Sequence, residues 1–112
     1  MIKEQKISLI QNENESLRDG WIDILFEEEP WNNIVIDIDK LSEQFFNNHK
    51  EIYDLKLLTS LFTVVLLESL WKGYNVIICM KEEDLYLEYK VNEIIKDFKN
   101  TKRIIELVVL KD

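Results

Sequence analysis

The chain has 112 residues, 46% hydrophobic and 32% charged, with two glycines, one proline and one cysteine. Those totals suit one globular domain, 1–112, with its own core; they argue against a disordered chain and exclude an internal disulfide. The net charge of −8 lies entirely in residues 1–54, which hold thirteen Asp/Glu against five Lys/Arg, whereas 55–112 hold nine of each. Such a surface repels nucleic acid and anionic membrane and attracts a basic protein.

In chain order, KISLI (6–10) reads as a short strand and QNENES (11–16) as a loop. Asp19-Gly20 is a turn dipeptide, and WIDILF (21–26) is apolar enough for a strand with Asp23 as its one charge. EEEPWNN follows as a connection, because proline disfavours helix before it and lacks a donor. NIVIDID (33–39) alternates and is the clearest strand. Asp39 or Ser42 is placed to cap the helix KLSEQFFNN. Residues 51–72 make a long helix, apolar nearly all round and therefore expected inside the protein, with Gly73 as its stop. YNVIICM (74–80) is a β-branched run expected to be buried on both faces. From about 83 to 99, Leu87, Val91, Ile94, Ile95 and Phe98 form one helical stripe. An alternating strand over 84–91 fits a shorter stretch. RIIELVVL (103–110) ends the pattern as a strand.

Apolar strands alternating with helices predict an α/β fold: a mixed, mainly parallel sheet of about five strands with helices on both faces. The two N-terminal strands either extend that sheet or pair as a hairpin. MIKEQKISLI lacks a long apolar segment and a small-residue cleavage pattern, and LLTSLFTVVLL (57–67) is too short for a membrane span. The expectation is a cytoplasmic protein.

Catalytic patterns are sparse. IVIDID resembles the first motif of haloacid dehalogenase-like phosphatases over 34–39, where Asp-x-Asp presents Mg²⁺ ligands. Here Lys40-Leu41 follows, and Asp39 reads as a helix cap. The one histidine, His49, lies in the polar stretch NNHKE, Cys79 sits in the apolar run VIICM, and two glycines cannot build a phosphate loop. The expectation is a non-enzyme with no cofactor and no metal site.

What recurs is carboxylate beside aromatic. In FEEEPW (26–31), Glu27, Glu28 and Glu29 repel one another by roughly 1 kcal/mol per contact pair in water and flank Trp31. Asp23 follows Trp21. Glu82, Glu83 and Asp84 precede Tyr86 and Tyr89, where acids also suit a helix start. Aromatics anchor interfaces, and acids around them steer a cationic partner. In a parallel sheet Asp39 and 82–84 belong to one edge; the edge that carries FEEEPW depends on how WIDILF runs. The candidate partner-binding residues are therefore Asp23, Glu27, Glu28, Glu29, Trp31, Asp39, Glu82, Glu83 and Asp84.

Two resemblances follow from these stretches. FEEEPW, IDIDK and KEEDLY in a short acidic α/β chain resemble the immunity proteins and antitoxins that neutralise basic nuclease toxins, including those of contact-dependent growth inhibition. That resemblance implies an inhibitor that blocks the active cleft of an RNase-type toxin. The element order from 33 to 110 is similar to that of STAS-domain regulators, which implies a protein-interaction module. Leu41-Ser42-Glu43 stands near the position of their phosphorylated serine, without the accompanying glycine.

Overall fold

The computed structural model describes residues 3–29, 32–46, 55–99, 101 and 103–111. The elements run β1 (Lys3–Gln11), α1 (Glu15–Glu28), β2 (Asn33–Asp37), α2 (Ile38–Phe46), α3 (Leu55–Trp71), β3 (Asn75–Met80), α4 (Leu85–Asp97) and β4 (Arg103–Leu110). The predicted single α/β domain is present, with helices on both faces of one sheet. Among the described residues the sheet has four strands in the order β2-β3-β1-β4, and every pairing is parallel.

The missing fifth strand is WIDILF, which is helical. Asn14 caps α1, its side chain accepting from the backbone N–H of Ser16 and Leu17. Trp21, Ile22, Leu25 and Phe26 then fall on one helical face and pack on Ile10, Ile77 and Cys79. Asp19-Gly20 lies inside that helix and is no turn. The N-terminal hairpin is likewise replaced: β1 is central, between β3 and β4.

β1 and β3 are buried on both faces. Ile7, Leu9, Val76, Ile78 and Met80 point into the core beneath α3 and α4, while Ile10, Ile77 and Cys79 meet α1. The connection from β1 moves across the sheet one way and those from β2 and β3 the other. Right-handed crossovers then require α1 on one face and α3 with α4 on the other, which is the observed division of the core.

α3 buries one stripe, Leu58, Phe62, Leu66 and Leu70, and exposes Leu57, Val64 and Val65. The expectation of a fully buried helix is therefore wrong: only one face of this helix meets the sheet. Its end is as expected. Gly73 has φ 93°, its N–H donates to Leu70 O, and Tyr74 N–H donates to Ser69 O, the paired bonds of a Schellman stop. α4 is helical over 85–97, so the longer stripe prevails over the alternating reading of 84–91.

A polar clamp holds α3 to the sheet. Gln5, 4% exposed on β1, donates from Nε2 to Leu70 O at 3.0 Å and Tyr74 O at 2.9 Å. Arg103 donates to Gln5 Oε1 at 2.9 Å, to Leu70 O, and to Trp71 O at 2.7 Å. Its guanidinium also lies 5.1 Å from the Trp71 ring. These donors satisfy carbonyls that a helix end leaves open. Arg103→Ala is expected to lower unfolding free energy by about 1.5–3 kcal/mol, the range for hydrogen bonds to a charged group. Chemical denaturation would check this; an unchanged midpoint would show that the clamp is dispensable.

Candidate partner-binding surface

In a parallel sheet the carboxyl ends of all strands share one edge, and each following helix runs back toward the other. Glu13, Glu15, Asp37, Asp39 and Glu82 to Asp84 therefore lie at the carboxyl edge. α1 carries Glu27, Glu28 and Glu29 away to the amino edge. The two halves of the sequence-predicted site are separated by the length of a strand, about 17 Å for six residues. Trp31 lies outside the described residues.

At the carboxyl edge, Asp37 Oδ1 accepts from Lys40 N at 3.0 Å. Asp37, rather than Asp39 or Ser42, thus caps α2, because the strand ends there and the helix begins at Ile38. Asp39 Oδ2 accepts from Lys81 N at 2.8 Å and ties the loop after β3 to α2. Asp84 caps α4 by accepting from Leu87 N at 3.0 Å. Glu83 pairs with Lys111 at 2.9 Å, and that bond raises the ammonium pKa.

Asp39, Ser42, Met80, Glu82, Glu83 and Asp84 help line an open cleft of ≈ 590 Å³. Beside it Leu85, Tyr86 and Tyr89 are exposed by 70%, 49% and 57%, enough to make them side chains that a partner could cover. Tyr86 lies 5.7 Å from Lys90 Nζ. A hydrogen bond between Tyr89 and Glu93 holds the phenol pKa up and the carboxyl pKa down. These residues were absent from the candidate list, yet the helical reading of 83–99 already places them off the buried stripe. Among the described residues, no group of three His, Cys, Asp or Glu side chains is arranged to hold a metal ion.

At the amino edge, Glu29 serves the fold. Asn33 Nδ2 donates to its carbonyl and Asn75 Nδ2 to its carboxylate, which fastens the end of α1 to β2 and β3. The cavity beneath, beside Lys6 and Leu25, is ≈ 20 Å³, room for about one water.

Between the edges, Glu15, Asp19, Asp23 and Glu27 stand four residues apart along α1, all exposed. Like charges at this spacing destabilise a helix by about 0.2–0.5 kcal/mol per pair. Glu27 and Glu28 also occupy the last turn, which has no basic residue and where the dipole disfavours an anion by about 0.3–1 kcal/mol. The one cation of α1, Arg18, is buried and donates from Nη1 to Asn12 O at 2.6 Å and Glu13 O at 3.0 Å. Among the described residues the ion pairs are Lys90–Glu93 and Lys111–Glu83, neither on α1. Among the described residues, then, no ion pair neutralises the acidic row.

No family model and no curated protein matches this chain.

Burial, then the charge of Asp37, pushes the Cys79 thiol up to about 11 from 9.0. The native state holds this proton more tightly than the unfolded state does. Its contribution to stability is therefore complete below pH 9 and is lost as pH rises toward 11. Cys79→Ala is expected to flatten the fall in stability over that window, read by urea denaturation at successive pH values. A thiol-reactive dye should label Cys79 at pH 8 only on unfolding; rapid native labelling would contradict the buried, protonated thiol.

Proposed function

We propose that this chain is a binding protein that neutralises a basic protein, with its carboxylates as the recognition surface. The observation that carries this is the acidic row of α1, whose members oppose one another and, at its end, the helix dipole, with no ion-pair partner among the described residues. For α1 stability alone, Glu15 suits the first turn, but lysines at Asp23 or Glu27 would pair with the row and suit the helix end. Carboxylates kept against that gradient favour an external cation.

The carboxyl edge adds Glu82 and Glu83 beside exposed Leu85, Tyr86 and Tyr89, the pairing of aromatic anchor and charged rim found at interfaces. Electrostatic steering by such a surface speeds encounter with a basic partner. The resemblance to immunity proteins suggests the class of partner: a basic nuclease toxin domain, inhibited by occlusion of the cleft where its nucleic acid substrate binds. The acidic face then occupies a site built for phosphates.

The test pairs the protein with basic nuclease domains encoded beside its own gene. Stoichiometric inhibition is expected, with affinity falling by about tenfold or more between 50 and 200 mM salt as the exposed charges are screened. Full nuclease activity in the presence of excess protein, across every neighbouring candidate, would overturn the proposal.

A further inference from the structure

We infer that the open edge of β4 pairs antiparallel with β4 of a second copy of this chain, joining two four-stranded sheets into one of eight. The inference is independent of the acidic surface and of its proposed partner.

β4 is bonded on one side. β1 pairs with it at eight consecutive positions, from Lys3 with Arg103 to Ile10 with Leu110, without the extra residue of a bulge. Among the described residues no strand lies on its other side, so a row of backbone N–H and C=O groups faces outward. Natural edges are blunted by proline, lysine, a bulge or brevity. Residues 104–110 hold neither proline nor lysine. Arg103, at the start of the strand, is engaged with Leu70 O and Trp71 O, and Lys111, just past its end, with Glu83. The opposite edge, β2, stops after five residues and leads directly into α2.

The side chains of β4 are also incompletely covered. Six of its eight residues are apolar and none is buried, whereas five of the six residues of β3 are. Ile105, Leu107 and Val109 reach the larger core yet remain partly exposed beside the open edge. On the other face α1 crosses from β1 to β2, away from β4. Ile104 and Val108 join neither core cluster, and Ile104 is 51% exposed.

Unfilled groups arranged as a ladder are matched by a strand, and β4 is its own match. A two-fold axis normal to the sheet keeps each face continuous, so residues of one face meet residues of the same face. With the axis through Leu107, Ile105 faces Val109 of the copy, Ile104 faces Leu110 and Glu106 faces Val108. An axis through Glu106 sets two carboxylates opposite each other, which is destabilising. An axis through Ile105 or Val108 matches fewer apolar positions. Charge and apolar pattern therefore select one register, and in it the exposed Ile104 is covered. Residues 55–112, which include β4, hold nine acids and nine bases, so the half that meets its copy brings no net charge.

Sedimentation of the intact protein should show a monomer at low concentration and twice that mass at high concentration. Ile104→Lys sets a lysine against Leu110 of the copy and should raise the dissociation constant by about tenfold or more, while the melting temperature of dilute protein holds. Val64→Lys, at a position of α3 that is 60% exposed, should leave the dimer intact. A nitroxide on Glu106→Cys should show dipolar broadening in the dimer alone, because its counterpart lies one strand away, about 5 Å across; Cys79 is buried and stays unlabelled. A monomer at every concentration would overturn the inference. So would a dimer that Ile104→Lys leaves unchanged, that Val64→Lys abolishes, or whose nitroxide stays unbroadened.

Discussion

The structure depends on one constraint: β1 and β3 lie side by side, in parallel, with apolar side chains on both faces. Ile7 and Leu9 require cover on one side, Ile10, Ile77 and Cys79 on the other. Parallel neighbours cannot be joined by a tight turn, so each strand end must lead into a helix. The handedness of those crossovers then divides the helices between faces. α3 and α4 share the larger core, and α1 alone covers the smaller one.

A helix that covers a sheet face by itself uses a narrow stripe for packing and leaves a broad arc to solvent. On α1 the packing stripe is Trp21, Ile22, Leu25 and Phe26. The rest of the circumference faces solvent, and five of the thirteen acids of the N-terminal half lie on this helix. Arg18, which could have balanced them, is turned inward to hold the loop after β1. α1 thus carries five acids, Glu15, Asp19, Asp23, Glu27 and Glu28, against the single cation Arg18. α4, on the opposite face, mixes Glu88, Glu93 and Asp97 with Lys90 and Lys96.

How much of this the sequence disclosed depended on whether the information was local. β2, β3, β4, α3 and α4 carry their periodicity within a few residues and were legible. α1 was obscured by two misleading signals: Asp19-Gly20 imitates a turn, and a six-residue apolar run suits a strand as well as a helix. Its true signature was longer in range, combining Asn14 as cap, the 21/22/25/26 spacing and acids at every fourth position. The central position of β1 was illegible because pairing over such separations leaves no local trace. The error about α1 propagated to the site. With WIDILF extended, FEEEPW could share an edge with Asp39 and Glu82 to Asp84; with it helical, chain direction sends the glutamates to the opposite edge. Tyr86 and Tyr89 were legible as aromatics off the apolar stripe of α4, because that stripe is itself local.

The central place of β1 also governs how the chain reaches this structure. Its first strand meets partners made long afterward: 69 residues separate Lys6 from Asn75, and 98 separate Gln5 from Arg103. During synthesis, the amino-terminal segment leaves the ribosome with its apolar strand unpaired and must stay so until the later strands emerge. Contacts this distant slow folding, because the entropy of closing the loop is spent before any pairing is gained. An amino-terminal half rich in mutually repelling carboxylates keeps such waiting chains apart. The same charge that would receive the proposed basic partner therefore also sets nascent molecules against association with their own kind.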